Sequence, residues 1–161
     1  MIVGNTGQLA IESGITHAYD GPGFPALGYF CLHIGGQRCG VFDPEATMLG
    51  NSLDEVERRF LNRGSHVTPF ASESDGRAIA DSVYRAIYAW DQEDKQFFGI
   101  GHADFKAMIH GTRIMWAPDG DEAFDDGAYV LQFDVGDRVR LIAFKAEKTI
   151  IPFQSPLWIS G

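Results

Sequence analysis

The segment that most restricts the fold of the chain is residues 129–145, YVLQFDVGDRVRLIAFK. Apolar and polar side chains alternate on both sides of a glycine, which is typical of two antiparallel strands joined by a tight turn. We assign a three-residue loop, 135–137, to this turn. The loop sets four pairs of residues opposite or near one another: Phe133 with Val139, Leu131 with Leu141, Asp134 with Arg138, and Gln132 with Arg140. One face of the hairpin is then apolar and the other mixed, as in an antiparallel sheet that is covered on one side.

A second hairpin is predicted near the N-terminus, where "GYFCLHI" and "QRCGVF" flank the glycine pair 35–36. A two-residue turn at this pair sets Leu32 opposite Cys39 and Cys31 opposite Gly40. Because neighbours along a strand alternate between faces, the two sulfur atoms point to opposite sides of the hairpin. We therefore expect both cysteines to be free thiols.

Between the two hairpins the apolar residues recur at helical spacing instead of alternating. Ser52 and Glu55 have the spacing of a capping box, which predicts that a first helix begins there. Leu53, Val56 and Phe60 then form its apolar stripe, and this stripe is expected to face the core.

Two further helices are predicted before the C-terminal hairpin. One begins near Ser74 or Asp75 and carries four apolar residues on one face: Ile79, Val83, Ile87 and Trp90. A shorter helix is expected over residues 102–110. Its inward residues are Phe105, Met108 and Ile109.

The order of these elements predicts an α+β fold, in which two or three helices pack on one face of a mostly antiparallel sheet. Segments "GQLAIESGI" and "TRIMWA" supply further strands before and after the helices. A length of 161 residues fits one domain, so we expect residues 1–161 to form a single domain. Its core covers about residues 1–145, followed by a C-terminal extension over residues 146–161.

The chain is strongly acidic, with a formal net charge of −9 from 22 acidic and 13 basic residues. Such a surface repels nucleic acid and anionic membranes and attracts cationic partners. The first Lys or Arg is Arg38, so no secretory signal is expected. No apolar run approaches the roughly 18 residues of a membrane helix. These features predict a cytoplasmic protein that binds neither nucleic acid nor membrane.

The negative charge is concentrated in residues 117–133, APDGDEAFDDGAYVLQF. Five acids fall within eight residues with no Lys or Arg between them: Asp119, Asp121, Glu122, Asp125 and Asp126. Four interpretations are open: a calcium loop, paired catalytic carboxylates, a solvated turn, or a contact surface for a cationic partner. An EF-hand loop that starts at Asp119 would need glycine at its sixth position and glutamate at its twelfth. Phe124 and Val130 occupy those positions, which disfavours calcium.

A second group of acids, Asp91, Glu93 and Asp94, follows the second predicted helix in "WDQEDKQFF". Acids at a helix C-terminus oppose the helix dipole. Either this helix ends earlier than its apolar pattern indicates, or the charges serve another purpose. We include these three acids with the five loop acids as candidate partner-binding residues.

No sequence motif for catalysis, metal binding or phosphate binding is present. The five histidines occur without H-E-x-x-H, and the two cysteines occur without C-x-x-C. Neither G-x-S-x-G nor a glycine-rich phosphate loop is found. We therefore predict no catalytic residue, no metal site and no cofactor, a profile that favours a binding protein over an enzyme.

Three segments resemble the immunity protein 42 family: "MIVGNTGQLAIESGI", "HIGGQRCGV" and "MWAPDGDEAFDDGAYVLQFDVGDRVRLIAFK". The likeness covers residues 1–145, and the family comprises small bacterial proteins encoded beside polymorphic toxins, including contact-dependent inhibition systems. The resemblance implies a cytosolic protein that binds the C-terminal domain of a cognate toxin and blocks its active site or its access to substrate. Many such toxins are nucleases with basic surfaces, towards which an acidic partner would be steered.

Two other functions stay open. An enzyme of small-molecule metabolism would use Asp and His side chains in a cleft between helices and sheet, with carboxylates of shifted pKa. A calcium-binding module would bring the carboxylate oxygens of residues 119–126 within coordination distance of one point. An immunity protein is expected to show neither, and to present an exposed acidic surface without a pocket.

Overall fold

The computed structural model describes residues 1–19, 26–118, 120–145 and 157–160. In these residues a group of strands comes first, the helices follow, and a second group of strands comes last, with a short pair of strands between the second and third helices. The strands are β1 (Ile2–Gly4), β2 (Leu9–Ala18), β3 (Ala26–Ile34), β4 (Gln37–Cys39), β5 (Thr47–Met48), β6 (Gln96–Phe97), β7 (Ile100–Gly101), β8 (Met115–Ala117), β9 (Ala128–Val135), β10 (Arg138–Lys145) and β11 (Leu157–Ser160). The helices are α1 (Leu49–Leu61), α2 (Gly76–Tyr88) and α3 (His102–Thr112), with a single 3-10 turn at Glu122–Phe124. The α+β prediction is confirmed. No helix in this described part is long and apolar enough to cross a bilayer.

The described strands form two main antiparallel sheets and one short ribbon. The N-terminal sheet has the order β1-β2-β3-β4, with β5 also paired to β3. The C-terminal sheet has the order β11-β10-β9-β8, and β6 and β7 form the ribbon. The sequence pattern indicates antiparallel strands, but it does not reveal that they divide into two packed layers.

The N-terminal hairpin has the predicted register. Leu32 lies opposite Cys39, and the turn is made by Gly35 and Gly36. Cys31 and Cys39 are both buried and free. Since Cys31 is one residue from Leu32 along β3, its side chain points to the face opposite that of Cys39.

The register of the β9–β10 hairpin differs from the prediction by one residue. Its turn has two residues, Gly136 and Asp137, and Phe133 lies directly opposite Arg140. Gly136 adopts a φ of +62°, which glycine reaches without a steric cost. The three-residue loop is therefore wrong, as are its pairings: Phe133 with Val139, Leu131 with Leu141, Asp134 with Arg138, and Gln132 near Arg140.

Both faces of the C-terminal sheet are buried, which explains this error. One face packs against α2 and α3, and the other packs against the N-terminal sheet. Arg140 lies on the helical side with only 1% of its surface exposed. Its Nη1 donates hydrogen bonds to the carbonyl oxygens of Ala71 and Glu73, at 2.7 and 2.5 Å. An arginine thus occupies a core position that the alternating pattern assigns to the uncovered face.

Helix α1 begins three residues before the predicted capping box. Met48 is its N-cap and makes no side-chain cap hydrogen bond, so Ser52 and Glu55 lie inside the helix and do not cap it. The side chains that α1 buries are Leu49, Ser52 and Arg59. Two of the three residues predicted to face the core, Leu53 and Phe60, are exposed instead.

The buried Arg59 accounts for the orientation of α1. Its Nε donates to the carboxylate of Glu55 at 2.6 Å. Its Nη1 and Nη2 donate to the backbone carbonyls of Arg113 and Met115, and its guanidinium lies 5.9 Å from the ring centroid of Trp116. These contacts fasten α1 to β8 and to the end of α3.

Helices α2 and α3 follow the prediction closely. Asp75 caps α2 by accepting hydrogen bonds from the amides of Arg77 and Ala78. The helix ends at Tyr88, so Trp90 lies beyond it and does not extend its apolar face. Helix α3 buries Phe105 and Ile109 against the C-terminal sheet, as expected.

Strand β11 completes the C-terminal sheet by pairing antiparallel with β10. The Trp158 ring lies 4.9 Å from the Arg138 guanidinium and 5.3 Å from that of Arg140. Residues 146–156 and 161, most of the predicted extension, lie outside the described residues. The described end of the extension returns to the sheet.

Candidate partner-binding surface

The acids of the 119–126 loop fall into two groups according to the direction of their carboxylates. Asp121 and Asp126 are partly buried and bind protein donors. Glu122 and Asp125 are exposed. Asp119 lies outside the described residues.

Asp121 holds the loop against α1 and β5. Its Oδ1 accepts hydrogen bonds from the Thr47 hydroxyl and the Ala123 amide, both at 2.9 Å. Its Oδ2 accepts one from the hydroxyl of Ser52, which is buried in α1. Asp121 therefore also caps the 3-10 turn at 122–124, because the Ala123 amide is one of the free donors of that turn.

Asp126 ties the other end of the loop to both sheets. Its Oδ2 accepts from the Gly40 amide at 3.2 Å and from the Lys145 ammonium at 2.7 Å. Its Oδ1 accepts from the Ala128 amide at 3.1 Å. The two inward carboxylates are directed at separate elements, whereas a calcium loop directs its carboxylates at one ion.

The second acidic group lies in the connection between α2 and β6. Asp91, Glu93 and Asp94 are all exposed there. Because α2 already ends at Tyr88, these acids lie beyond its last turn, where the unfavourable interaction with the helix dipole is reduced. Of the two explanations for these charges, an earlier helix end is confirmed.

A groove separates α1 from the ends of α2 and α3. It consists of two adjoining cavities of about 360 and 170 Å³, which share Glu55, Arg58 and Gly120. The larger cavity is also lined by Ile87, Tyr88, Ile109, His110, Arg113 and Met115. The smaller is also lined by Phe30, Asn51, Ser52, Trp116, Pro118, Asp121 and Phe124. The expectation of a surface without a pocket is therefore wrong.

Each acidic segment is close in sequence to a residue that lines this groove. Gly120 lines the groove and directly precedes Asp121. Tyr88 lines it as well and is three residues before Asp91. The ring centroids of Tyr88 and Tyr129 are 5.6 Å apart, so the end of α2 contacts the strand that follows the acidic loop. The fold thereby brings Tyr88 and Gly120, each close in sequence to one acid group, to the same groove.

The wall of the groove carries both signs of charge. Glu55 lies 3.3 Å from the Nε of Arg58 and 2.6 Å from that of Arg59, which neutralises its carboxylate. His110 and Arg113 lie at the C-terminal end of α3, where cations complement the helix dipole. In the residues that the structure describes, no group of three or more His, Cys, Asp or Glu side chains is placed to hold a metal ion.

Comparison with known proteins assigns the chain to a family. A family model described as Immunity protein 42 matches residues 1–155. The chain belongs to the immunity protein 42 family. Its membership supports a toxin-neutralising role.

The fold of this immunity protein 42 member is also similar to the crystal structure of CdiI from Burkholderia dolosa AUO158. The two share 16% sequence identity with a TM-score of 0.62, over 99% of this chain and 90% of that chain. At this identity the likeness shows a common fold. A search of curated proteins finds no match.

Aromatic residues beside the groove are the part of the surface that sequence reasoning missed. Trp90 is 90% exposed and Tyr88 is 43% exposed, although helical spacing places Trp90 on an inward face. The acids that directly follow Trp90 contained the signal, since they already indicated an earlier end for α2. In the sequence of this immunity protein 42 member, an exposed tryptophan therefore lies between Tyr88, which lines the groove, and the second acidic group.

Proposed function

We propose that this chain neutralises a nuclease-type toxin in the cytoplasm by binding the toxin's C-terminal domain through an acidic surface. The observation that carries the proposal is the exposure of five acids on two segments, each close in sequence to a residue that lines one groove. These acids are Glu122, Asp125, Asp91, Glu93 and Asp94. Membership of an immunity protein family supports a toxin as the partner.

The charge of the chain favours a basic partner. A nuclease holds nucleic acid with cationic side chains, and a net charge of −9 attracts such a surface over a distance of about one Debye length. Complementary potentials accelerate association more than they tighten the final complex. An immunity protein gains from fast association, because the toxin must be captured before it reaches its substrate.

The proposal is tested by binding to the cognate toxin domain, inactivated in its own active site, at low and high salt. The charge-reversal variant Glu122→Lys/Asp125→Lys changes two exposed acids beside the groove. The matched control, Glu57→Lys/Asp137→Lys, makes the same change in net charge at two exposed acids elsewhere. Asp137 lies at the hairpin turn, the end of β9 remote from the acidic loop.

We expect the loop variant to associate about tenfold more slowly than the wild type at low salt, with a weaker salt dependence. The control should stay close to the wild-type rate. Absence of any complex between the wild type and the toxin domain would overturn the proposed function. Equal rates for the two variants would overturn the acidic loop as its contact surface.

A further inference from the structure

We propose that Trp90, together with Tyr88 and the adjoining groove, forms the anchor at which a basic segment of the toxin domain docks. The inference rests on the proposed function and names the part of the surface that holds the partner. It starts from the aromatic end of α2, where Tyr88 lines a preformed cavity of about 360 Å³ and Trp90, two residues further along the chain, is 90% exposed.

The exposed position of Trp90 is not explained by a contribution to the hydrophobic core. With 90% of its surface exposed, it buries almost none of the apolar area that normally places tryptophan inside a protein. Its backbone carbonyl accepts a hydrogen bond from the Gln92 side chain at 2.7 Å, which folds the connection locally. Tryptophan is enriched among the few interface residues that dominate binding energy, so an exposed tryptophan two residues from the groove-lining Tyr88 suits a docking site.

Charge complementarity identifies the occupant as basic. Asp91, Glu93 and Asp94 follow Trp90 and are all exposed, with Lys95 as the one cation among them. A Lys or Arg side chain that lies over the indole face gains a cation–π interaction. Its charged end can then reach the neighbouring carboxylates. The groove beside Tyr88, whose lining includes the cations Arg58 and Arg113, offers space for an adjacent apolar or acidic side chain of the same segment.

The opposite flank of α1 supplies a matched control. Phe60 is 77% exposed there, so it too presents a large ring to solvent. At about 100° per residue, Phe60 lies about 140° around the helix from Glu55 and about 160° from Arg58, the two α1 residues shared by both cavities. Truncation of Phe60 therefore removes a comparable exposed ring on the side of α1 that faces away from the groove.

The experiment compares Trp90→Ala, Trp90→Phe and Phe60→Ala for binding to the inactivated toxin C-terminal domain. We expect Trp90→Ala to raise Kd about thirtyfold, mainly through faster dissociation. Trp90→Phe should recover part of the affinity, because a phenyl ring retains apolar area and a weaker cation–π interaction. Phe60→Ala should remain within about twofold of the wild type. All three variants should melt like the wild type, since both rings are exposed.

The outcomes separate this inference from the proposed function. If the wild type binds the toxin domain and Trp90→Ala binds as tightly as Phe60→Ala, the anchor is wrong and the proposed function stands. If the wild type forms no complex, both fail. Sedimentation of the free protein tests whether a second copy of this chain occupies the surface instead. If the wild type is a dimer, Trp90→Ala is a monomer and toxin affinity is unchanged, the surface belongs to the dimer interface and the anchor is wrong.

Discussion

Asp121 and Glu122 are neighbours in the chain, and the fold uses them for opposite purposes. The Asp121 carboxylate accepts three hydrogen bonds, two of them from the hydroxyls of Thr47 and Ser52. Glu122 points to solvent. A count of charges along the sequence treats these residues alike, whereas burial and hydrogen bonding separate them.

Truncation of these two acids should therefore have unequal effects on folding. We expect Asp121→Ala to lower the free energy of unfolding by about 2–3 kcal/mol, because it leaves partly buried donors without their charged acceptor. Glu122→Ala should change it by less than about 0.5 kcal/mol. Urea denaturation followed by circular dichroism measures both. Equal losses would show that the Asp121 hydrogen bonds contribute nothing specific to stability.

Two buried arginines mark the limit of prediction at the level of single residues. Arg59 and Arg140 fill interior positions because backbone carbonyls from distant segments accept their N–H groups. Neither set of carbonyls is near its arginine in sequence. Patterns that classify arginine as a surface residue therefore misplaced α1 and shifted the β9–β10 register.

Among the elements, those specified by local signals were predicted and those specified by distant contacts were not. Asp75 caps α2 through its own neighbours, and the glycine pair 35–36 makes a turn by itself. The orientation of α1 depends on carbonyls of residues 113 and 115, more than fifty positions away. Of the site, the acidic segments were predicted, but the groove that lies between them could not be, since it is formed by tertiary packing.

Glycine substitutions test the β9–β10 turn against an ordinary helical position. Gly136 has a φ of +62°, so Gly136→Ala should lower the free energy of unfolding by about 1 kcal/mol through backbone strain alone. Gly111 lies in α3 with open space around it and no positive φ. Gly111→Ala should raise stability by about 0.5–1 kcal/mol. Chemical denaturation of both variants is the measurement. A stabilised Gly136→Ala would contradict the two-residue turn.

On the scale of the whole molecule, packing removes several ionisable groups from water. Burial raises the pKa of the Cys31 thiol from 9.0 to about 11 and that of Cys39 to about 12. Burial also raises the pKa of Tyr129 from 10.0 to about 12. Each group keeps its proton in the folded protein at a pH where the unfolded chain has lost it.

Stability should therefore fall as the pH rises above about 9. In that range the folded state binds more protons than the unfolded state, so deprotonation favours unfolding, and the loss continues towards pH 11–12. Well below pH 9 both states are protonated at these groups and they contribute no slope. Urea midpoints across this range measure the effect. The variant Cys31→Ala/Cys39→Ala should show a shallower decline, and an unchanged slope would contradict the role of the thiols.

The attachment of α1 through Arg59 has a consequence for the thermodynamics of recognition. One wall of the groove is fastened to β8 and to the end of α3, which bear part of the other wall, so the cavity cannot widen unless these bonds break. A partner meets a shape that already exists, and little conformational entropy is lost when the complex forms. We therefore expect binding without coupled folding, with a small heat-capacity change that reflects only the area that the two surfaces bury.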